Sequence, residues 1–276
     1  MMNRIFGTVG AALLIALISL PLAAQQKKVA KTDQEKLGAR QFNEAIKAYS
    51  AGNHEQCIPL FIAADSLIGA TGLIDRVKLR FALGNSYLET GKPAQALELF
   101  QWVSAQDSAY PFIHIQLAES AQAAGKRPEA VAYYQNALNG AKPADQATIL
   151  GRIGELEFKA GRIKSALKAL NGAIEITPAS NYYLMRGQVY DRLAQRADHA
   201  QDAKYDVEAA IHSKELTEEL LEQASELRRK ALEDYRSAAR DPKLAPACES
   251  LIERSEIIIE NNAQVISEIR FQRENE

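Results

Sequence analysis

The chain has 276 residues, of which 47% are hydrophobic but only 7% aromatic, with a single tryptophan. This composition is typical of alanine-rich helix packing and argues against a β-sandwich or β-barrel. The 33 basic and 35 acidic residues give a formal net charge of −2, so there is no electrostatic basis for binding nucleic acid.

The first 24 residues have the layout of a secretory signal peptide. After one charge, Arg4, an apolar run from Val9 to Leu20 is followed by a proline and small residues. This run is shorter than the roughly 20 residues that span a bilayer. We therefore expect cleavage after Ala24 and export, with the periplasm as the expected location; an uncleaved membrane anchor is the alternative. Residues 25–37 are predicted to form a flexible polar leader.

From residue 38 onward the sequence repeats a helix–turn–helix pattern. In the clearest copy, residues 77–110, Gly84 lies at helical spacing with its apolar neighbours, and Gly91 breaks the helix seven positions later. A second apolar face of period about 3.6 then begins. Later copies repeat the pair as Ala118/Gly125 and Gly154/Gly161. In all three copies a large apolar residue lies nine positions after the turn glycine, and these residues are Phe100, Tyr134 and Leu170. Small residues are expected where the two helices of each hairpin cross closely.

This pattern resembles the tetratricopeptide repeat, a 34-residue helix–turn–helix unit. The copies start near residues 38, 77, 111, 147 and 180, and the three clearest are 34 and 36 residues apart. Tyr87 and Pro178 match the tyrosine and the terminal proline of the family's signature. The resemblance implies an all-α fold, a right-handed α-solenoid of helix hairpins, over residues 38–240.

The fifth repeat is interrupted. It starts with Gly187, but residues 188–241 contain neither glycine nor proline, and the second-helix pattern returns at Ala231 about 32 residues late. We therefore predict a helical insertion at residues 195–228 that lengthens both helices of this last hairpin.

Two arrangements of the insertion are open. In the first, the two long helices project as an antiparallel pair, and Ser213 or Thr217 caps the second helix. In the second, the chain bends near residues 198–201 and lies back across the stack.

Residues 241–276 are predicted to form an amphipathic helix that caps the stack. Apolar residues recur every seven positions in two rows. The first row is Leu251, Ile258 and Val265, and the second row is Ile252, Ile259 and Ile266. Heptads of this kind also suit a coiled-coil seam, so a homodimer through the C-terminal helix is the alternative.

The two cysteines are expected to be core residues. Cys57 takes the place that Ala96 and Ala130 occupy in later repeats, which favours a small buried side chain. Because export exposes the chain to an oxidising compartment, a disulfide involving Cys57 or Cys248 is the alternative.

Signals for chemistry are weak. The four histidines are His54, His114, His199 and His212. Their spacing does not match that of metal-binding histidines, and none belongs to a cluster with cysteine. The sequence has no dinucleotide or nucleotide phosphate loop and no nucleophile elbow. We therefore predict that the chain is not an enzyme and holds no metal or cofactor.

In tetratricopeptide stacks the first helices of successive repeats line a concave groove, and the resemblance implies which positions face it. These positions are Phe42 and Ile46, Phe81 and Asn85, Ile115 and Glu119, Gly151 and Glu155, and Leu184 and Gln188. Because Glu119 and Glu155 stand where the family's best-known groove is basic, a clamp for a C-terminal carboxylate is not expected. The apolar members have a second interpretation, which is packing against the next repeat.

Two functions follow from this interpretation. The favoured hypothesis is an exported scaffold that binds a protein or peptide partner and holds an assembly together in the bacterial cell envelope. The alternative is a protein that binds cell-wall glycan or assists an enzyme. Glycan sites are usually rich in exposed aromatic residues, and Trp102 is the only tryptophan, which favours the scaffold.

Overall fold

The computed structural model describes residues 33–68, 74–202 and 210–275. The predicted signal peptide and residues 25–32 of the leader lie outside the described residues. The described part is helical and contains no strand, and it divides into two compact units that meet at residues 137 and 138.

The first unit contains six helices. They are α1 (Asp33–Ser50), α2 (His54–Ile68), α3 (Arg76–Glu89), α4 (Pro93–Gln106), α5 (Ile113–Ala123) and α6 (Arg127–Leu138). Helix α1 therefore includes residues 33–37, which the sequence pattern assigned to the leader.

The second unit contains five helices. They are α7 (Pro143–Lys159), α8 (Ile163–Ile176), α9 (Ser180–Asp202), α10 (Ala210–Ala238) and α11 (Ala245–Glu274). No described helix is both long enough and apolar enough to cross a bilayer.

Four glycine turns share one geometry, and they include the three predicted at Gly91, Gly125 and Gly161. Gly52, Gly91, Gly125 and Gly161 have φ between 73° and 77°, in the left-handed region that favours glycine. After α3, the amide of Gly91 donates to the carbonyl of Leu88 and the amide of Lys92 donates to that of Tyr87. These two bonds form the Schellman motif, which satisfies carbonyls at the end of a helix. The same pair of bonds recurs at the other three glycines.

The predicted helix crossings are also present. A Cβ atom at Gly84 would lie 2.8 Å from Phe100, and one at Gly154 would lie 2.7 Å from Leu170. Both pairs are 16 residues apart in the sequence. At Gly187 the nearest atom belongs to Tyr235, at 2.6 Å, and this pair is 48 residues apart, which is 16 plus the 32 residues of the interruption. The fifth hairpin thus has the same crossing as the hairpins of Gly84 and Gly154.

The helix bounds correct two details of the insertion. Ser213 and Thr217 lie inside α10, which begins at Ala210, so neither caps it. Helix α9 continues through Asp202, so the alternative bend near residues 198–201 is wrong.

An ionic clamp holds the base of this long hairpin together. The guanidinium of Arg186 on α9 donates to both carboxylate oxygens of Asp234 on α10, at 2.7 and 2.8 Å. It also donates to Asn171 on α8 at 2.7 Å, so one side chain ties three helices. The carboxylate side chain is only 5% exposed. Burial raises the pKa of Asp234, and the hydrogen bond from Arg186 opposes that rise.

The C-terminal helix α11 packs antiparallel along α10. Successive contacts run in opposite directions along the two helices, from Arg236–Glu256 at 2.8 Å to Ser225–Asn262 at 3.2 Å and Glu218–Arg270 at 2.6 Å. The predicted cap therefore covers α10 well into residues 195–228.

Only one of the two heptad rows of α11 lies in this seam. Ile266 is 9% exposed, and it alternates along the seam with the buried small and polar residues Cys248, Ser255 and Asn262. The other row lies farther from the seam, and its last member, Val265, is 40% exposed.

Candidate interaction surfaces

In the first unit the apolar positions of the predicted groove are largely core. Phe81 is 3% exposed and packs against the rings of Phe100 and Tyr110, at centroid distances of 5.4 and 4.8 Å. Ile115 is 8% exposed. A partner could therefore touch only the edges of these side chains.

The remaining first-unit positions are partly accessible or already hydrogen-bonded. Phe42 and Ile46 are half-buried, and Phe42 lies 6.1 Å from the ring of Phe61. Asn85 is buried, and its amide donates to the hydroxyl of Tyr49 at 3.2 Å. Glu119 is half-buried.

In the second unit the predicted positions lie on α7 and α9, and three of the four are at least partly exposed. Gly151 is buried against the ring of Tyr182. Leu184 is half-buried, Gln188 is exposed, and Glu155 is half-buried. We call Glu155, Leu184 and Gln188 the second-unit patch.

Two cations fix the carboxylate of this patch. Lys159 donates to Glu155 at 2.6 Å and Arg152 donates to it at 3.3 Å. Burial acts to raise the pKa of Glu155, but the hydrogen bonds and charges of Lys159 and Arg152 outweigh it, and the pKa lies below its usual value. The patch thus combines an apolar side chain with a charged group whose orientation is already set.

One cluster of reactive residue types lies in the core of the first unit. The Cys57 thiol lies 3.1 Å from the Ser86 hydroxyl, and the Nδ1 atom of His54 lies 3.5 Å from the same hydroxyl. Cys57 and Ser86 are fully buried, and burial raises the pKa of the Cys57 thiol. Since the thiolate is the nucleophilic form, this environment suits a packed thiol better than a reactive one.

Both cysteines are free, buried thiols. The side chains of His199 and His212 lie outside the described part. Among the residues whose positions are given, no three His, Cys, Asp or Glu side chains are grouped to hold a metal ion.

The tryptophan is partly covered. The guanidinium of Arg80 lies 4.1 Å from the ring centroid of Trp102. Asp65 holds that guanidinium with two hydrogen bonds, at 2.9 and 3.0 Å. One face of the ring is therefore occupied by a fixed cation, which leaves less aromatic surface for a sugar to stack on.

Sequence reasoning missed a cleft between α10 and α11. Glu219, Glu222 and Glu226 line one wall, and the apolar residues Ile259 and Ile266 line the other. The spacing of the three glutamates follows one helical face, but the sequence alone did not show which helix would lie opposite them.

The outer side of α11 carries unusually exposed apolar residues. Phe271 is 70% exposed, Ile257 52% and Val265 40%. Only three other large hydrophobic side chains in the described ranges are comparably exposed, and they are Leu37, Ile62 and Ile176. Clustering of such residues on one helix marks an interaction surface more often than scattered ones do.

Comparisons with known proteins address the repeat. No family model matches the sequence. A curated relative, "TPR repeat-containing protein YpiA" of Bacillus subtilis (strain 168), is 27% identical over 159 residues, which covers 56% of this chain but only 37% of that protein's length.

Two solved structures share the fold. A crystal structure of MamA protein superposes with a TM-score of 0.52 at 17% identity, covering 75% of this chain and 96% of MamA. A second MamA structure gives a TM-score of 0.50 at 18% identity, covering 71% and 96%. The relative and the two structures, together with the repeated turn and crossing geometry, confirm the predicted resemblance and fold class: the chain has an all-α fold similar to that of tetratricopeptide-repeat proteins.

Proposed function

We propose that this protein is an exported scaffold, without catalysis of its own, that binds a protein or peptide partner in the bacterial cell envelope. The tetratricopeptide-repeat fold supports the coarser part of this proposal, a role in protein–protein interaction. Export to the periplasm rests on the signal-peptide pattern of residues 1–24.

The second-unit patch is the observation that carries the proposal. The half-buried Leu184 and the exposed Gln188 are four residues apart on one side of α9, and the repeat resemblance implies that Glu155 of α7 faces the same groove. The carboxylate is held in place before a partner arrives, so its ordering costs little on binding.

A pair of leucine variants tests the patch. Leu184→Ala should weaken partner binding by about 1–2 kcal/mol, because it removes the apolar anchor. Leu167→Ala on α8 is the matched control, since it shortens another half-buried leucine of the same unit, one that packs against the core of Ile163, Leu170 and Val189. Partners would be captured from periplasmic extract, identified by mass spectrometry and then titrated against each purified variant.

The two variants separate binding from folding. We expect both to lower the melting temperature to a similar degree and only Leu184→Ala to weaken binding. Equal loss of binding in both variants would assign Leu184 to the core. Phe81→Ala and Ile115→Ala should lose folding and binding together, because those side chains are buried in the first unit.

Export has its own test. Residues 1–30 fused to a reporter that is active only outside the cytoplasm should give activity, with a mature N-terminus near Gln25. A full-length species that retains Met1 in the membrane fraction would contradict cleavage and support the anchor.

The glycan alternative is tested with purified sacculi. The stacking of Arg80 on Trp102 favours the protein scaffold, because it covers one aromatic face. The purified chain should remain in the supernatant when sacculi are sedimented. Co-sedimentation that Trp102→Ala abolishes would overturn the scaffold in favour of glycan binding.

A further inference from the structure

Helix α11 has two faces with different roles. Its inner face, with Ser255, Asn262 and Ile266, packs on α10. Its outer face lies roughly 120° around the helix from the inner face, at about 100° per residue. We define the outer face as Arg254, Ile257, Asn261, Val265 and Glu268, all of them exposed, with Leu251 and Phe271 at its two ends.

The outer face is self-complementary about its centre. Arg254 and Glu268 lie seven residues on either side of Asn261, Ile257 and Val265 lie four residues on either side, and Leu251 and Phe271 lie ten residues on either side. An antiparallel copy of the same helix, rotated about an axis through Asn261, would therefore place opposite charges together and apolar residues together. Such reciprocal pairing is what a two-fold symmetric interface requires.

The two charges of this face have no oppositely charged partner among the described residues, although the charge of Arg254 acts at longer range on the buried hydroxyl of Tyr235. Neither Arg254 nor Glu268 forms an ion pair with another residue that the structure describes. Arg236, Arg270 and Arg273 of the α10–α11 seam, in contrast, are all paired with glutamates. Charge complementarity therefore favours a partner with the same outer face.

We propose that two copies of this chain associate through the outer faces of α11, antiparallel about a two-fold axis at Asn261. The two copies form Arg254–Glu268 pairs on both sides of the axis, and Ile257 of one copy packs against Val265 of the other. This interface lies on a different helix from the second-unit patch, so the dimer stands or falls independently of the scaffold proposal. Because one helix per copy contributes, we expect a weak, reversible dimer below the size of a standard protein interface.

Analytical ultracentrifugation of the full chain over a range of concentrations tests the dimer. Arg254→Glu places like charges together at two symmetric points and should weaken dimerisation by roughly tenfold or more. Arg254→Glu combined with Glu268→Arg restores opposite charges and should recover most of the affinity. Arg127→Glu, the same charge change at an exposed position of α6, is the control and should leave the dimer unchanged.

Cross-linking tests the axis itself. Asn261→Cys should form a disulfide-linked dimer under mild oxidation, because the two copies of that position face each other across the axis. Ser267→Cys, exposed on the cleft side of α11, should not. Cys57 and Cys248 do not compete, since both are fully buried.

The outcomes are decisive in both directions. A dimer weakened by Arg254→Glu, restored by the double exchange and linked through Asn261→Cys supports the proposal. A chain that stays monomeric at all concentrations overturns it. So does a dimer that ignores Arg254→Glu, or one that cross-links equally well through Ser267→Cys.

Discussion

The two units build the same hairpin crossing but close their hairpins differently. In the first unit α1 and α2, α3 and α4, and α5 and α6 are joined at glycines with positive φ. In the second unit α7 and α8 use Gly161, whereas the α9–α10 hairpin continues for many residues beyond the place of the turn. Gly187 nevertheless meets Tyr235 as Gly84 meets Phe100. The contact between the helices therefore defines the repeat, and the turn can be moved.

The two units also differ in the contacts that hold their helices together. Buried aromatic rings dominate the first unit, where Phe81, Phe100 and Tyr110 pack together. In the second unit the extension of α10 is supported by polar contacts with α11, such as Asn262 to Ser225 and Arg270 to Glu218. A long helix that leaves the repeat core needs such a companion, since an isolated helix in water is only marginally stable.

The largest effect is expected at the clamp of the long hairpin. Asp234→Ala should lower the free energy of unfolding by about 3 kcal/mol, because it leaves Arg186 partly buried without its carboxylate. Glu256→Ala breaks the exposed pair with Arg236 and should cost at most about 1 kcal/mol. Urea unfolding of both variants measures the difference. Equal costs would mean that the clamp stabilises the hairpin no more than an exposed ion pair does, which would contradict its role.

The helix crossings come next and compare the two units directly. Leucine at Gly84, Gly154 or Gly187 should destabilise by roughly 1–3 kcal/mol each, because each side chain would overpack against the opposite helix. Gly172→Ala is the control, since its Cβ would meet only one atom of Leu150, at 3.2 Å. Losses below a few tenths of a kcal/mol at Gly84 or Gly154 would refute the assigned repeat register.

A smaller effect is expected at the buried amide of the first unit. Asn85→Ala should cost about 1 kcal/mol, the usual contribution of a buried hydrogen bond, by removing the donor to Tyr49. A cost below about 0.5 kcal/mol, which is usual for a surface substitution, would mean that the hydrogen bond between Asn85 and Tyr49 is not buried in solution. Thermal unfolding followed by circular dichroism measures this change.

The smallest effect at neutral pH is expected at Tyr110. Its hydroxyl is buried and finds no hydrogen-bond partner in the described part of the chain, so Tyr110→Phe should change stability by less than about 0.5 kcal/mol. Burial raises the pKa of Tyr110 from 10.0 to about 12. The folded state thus holds this proton more tightly than the unfolded state, and the stability present below pH 10 is lost as the pH rises towards 12. The phenylalanine variant should lose less stability than the parent over that range, and identical pH curves would contradict the assignment.

The turns and crossings were predictable because they depend on residue types with few alternatives. Glycine at Gly91 or Gly161 is needed for positive φ, and a small residue at Gly154 is needed beside Leu170. The length of the interruption was predictable for the same reason. The small residue Gly187 needs a large residue opposite it, and Tyr235 lies 32 residues later than in an uninterrupted repeat.

The other features depend on tertiary contacts that a sequence pattern does not encode. Ser213 and Thr217 are good N-cap residues, but helix interiors also accept them, so the start of α10 was misplaced. An apolar residue such as Phe81 suits a groove and a core equally well. The two heptad rows of α11 are alike in sequence, and the partners Ser225 and Asn262 decide which one faces α10.

A double-mutant cycle between Gly187 and Tyr235 tests most directly that the interrupted hairpin is a true repeat. Gly187→Ala places a methyl group against the tyrosine ring, and Tyr235→Leu imitates the partner that Gly154 has in Leu170. We predict that the double variant is more stable than the sum of the single changes by about 1 kcal/mol or more, because the smaller side chain makes room for the methyl group. Additive effects, within about 0.3 kcal/mol, would show that the two helices do not cross at this pair and would contradict the account.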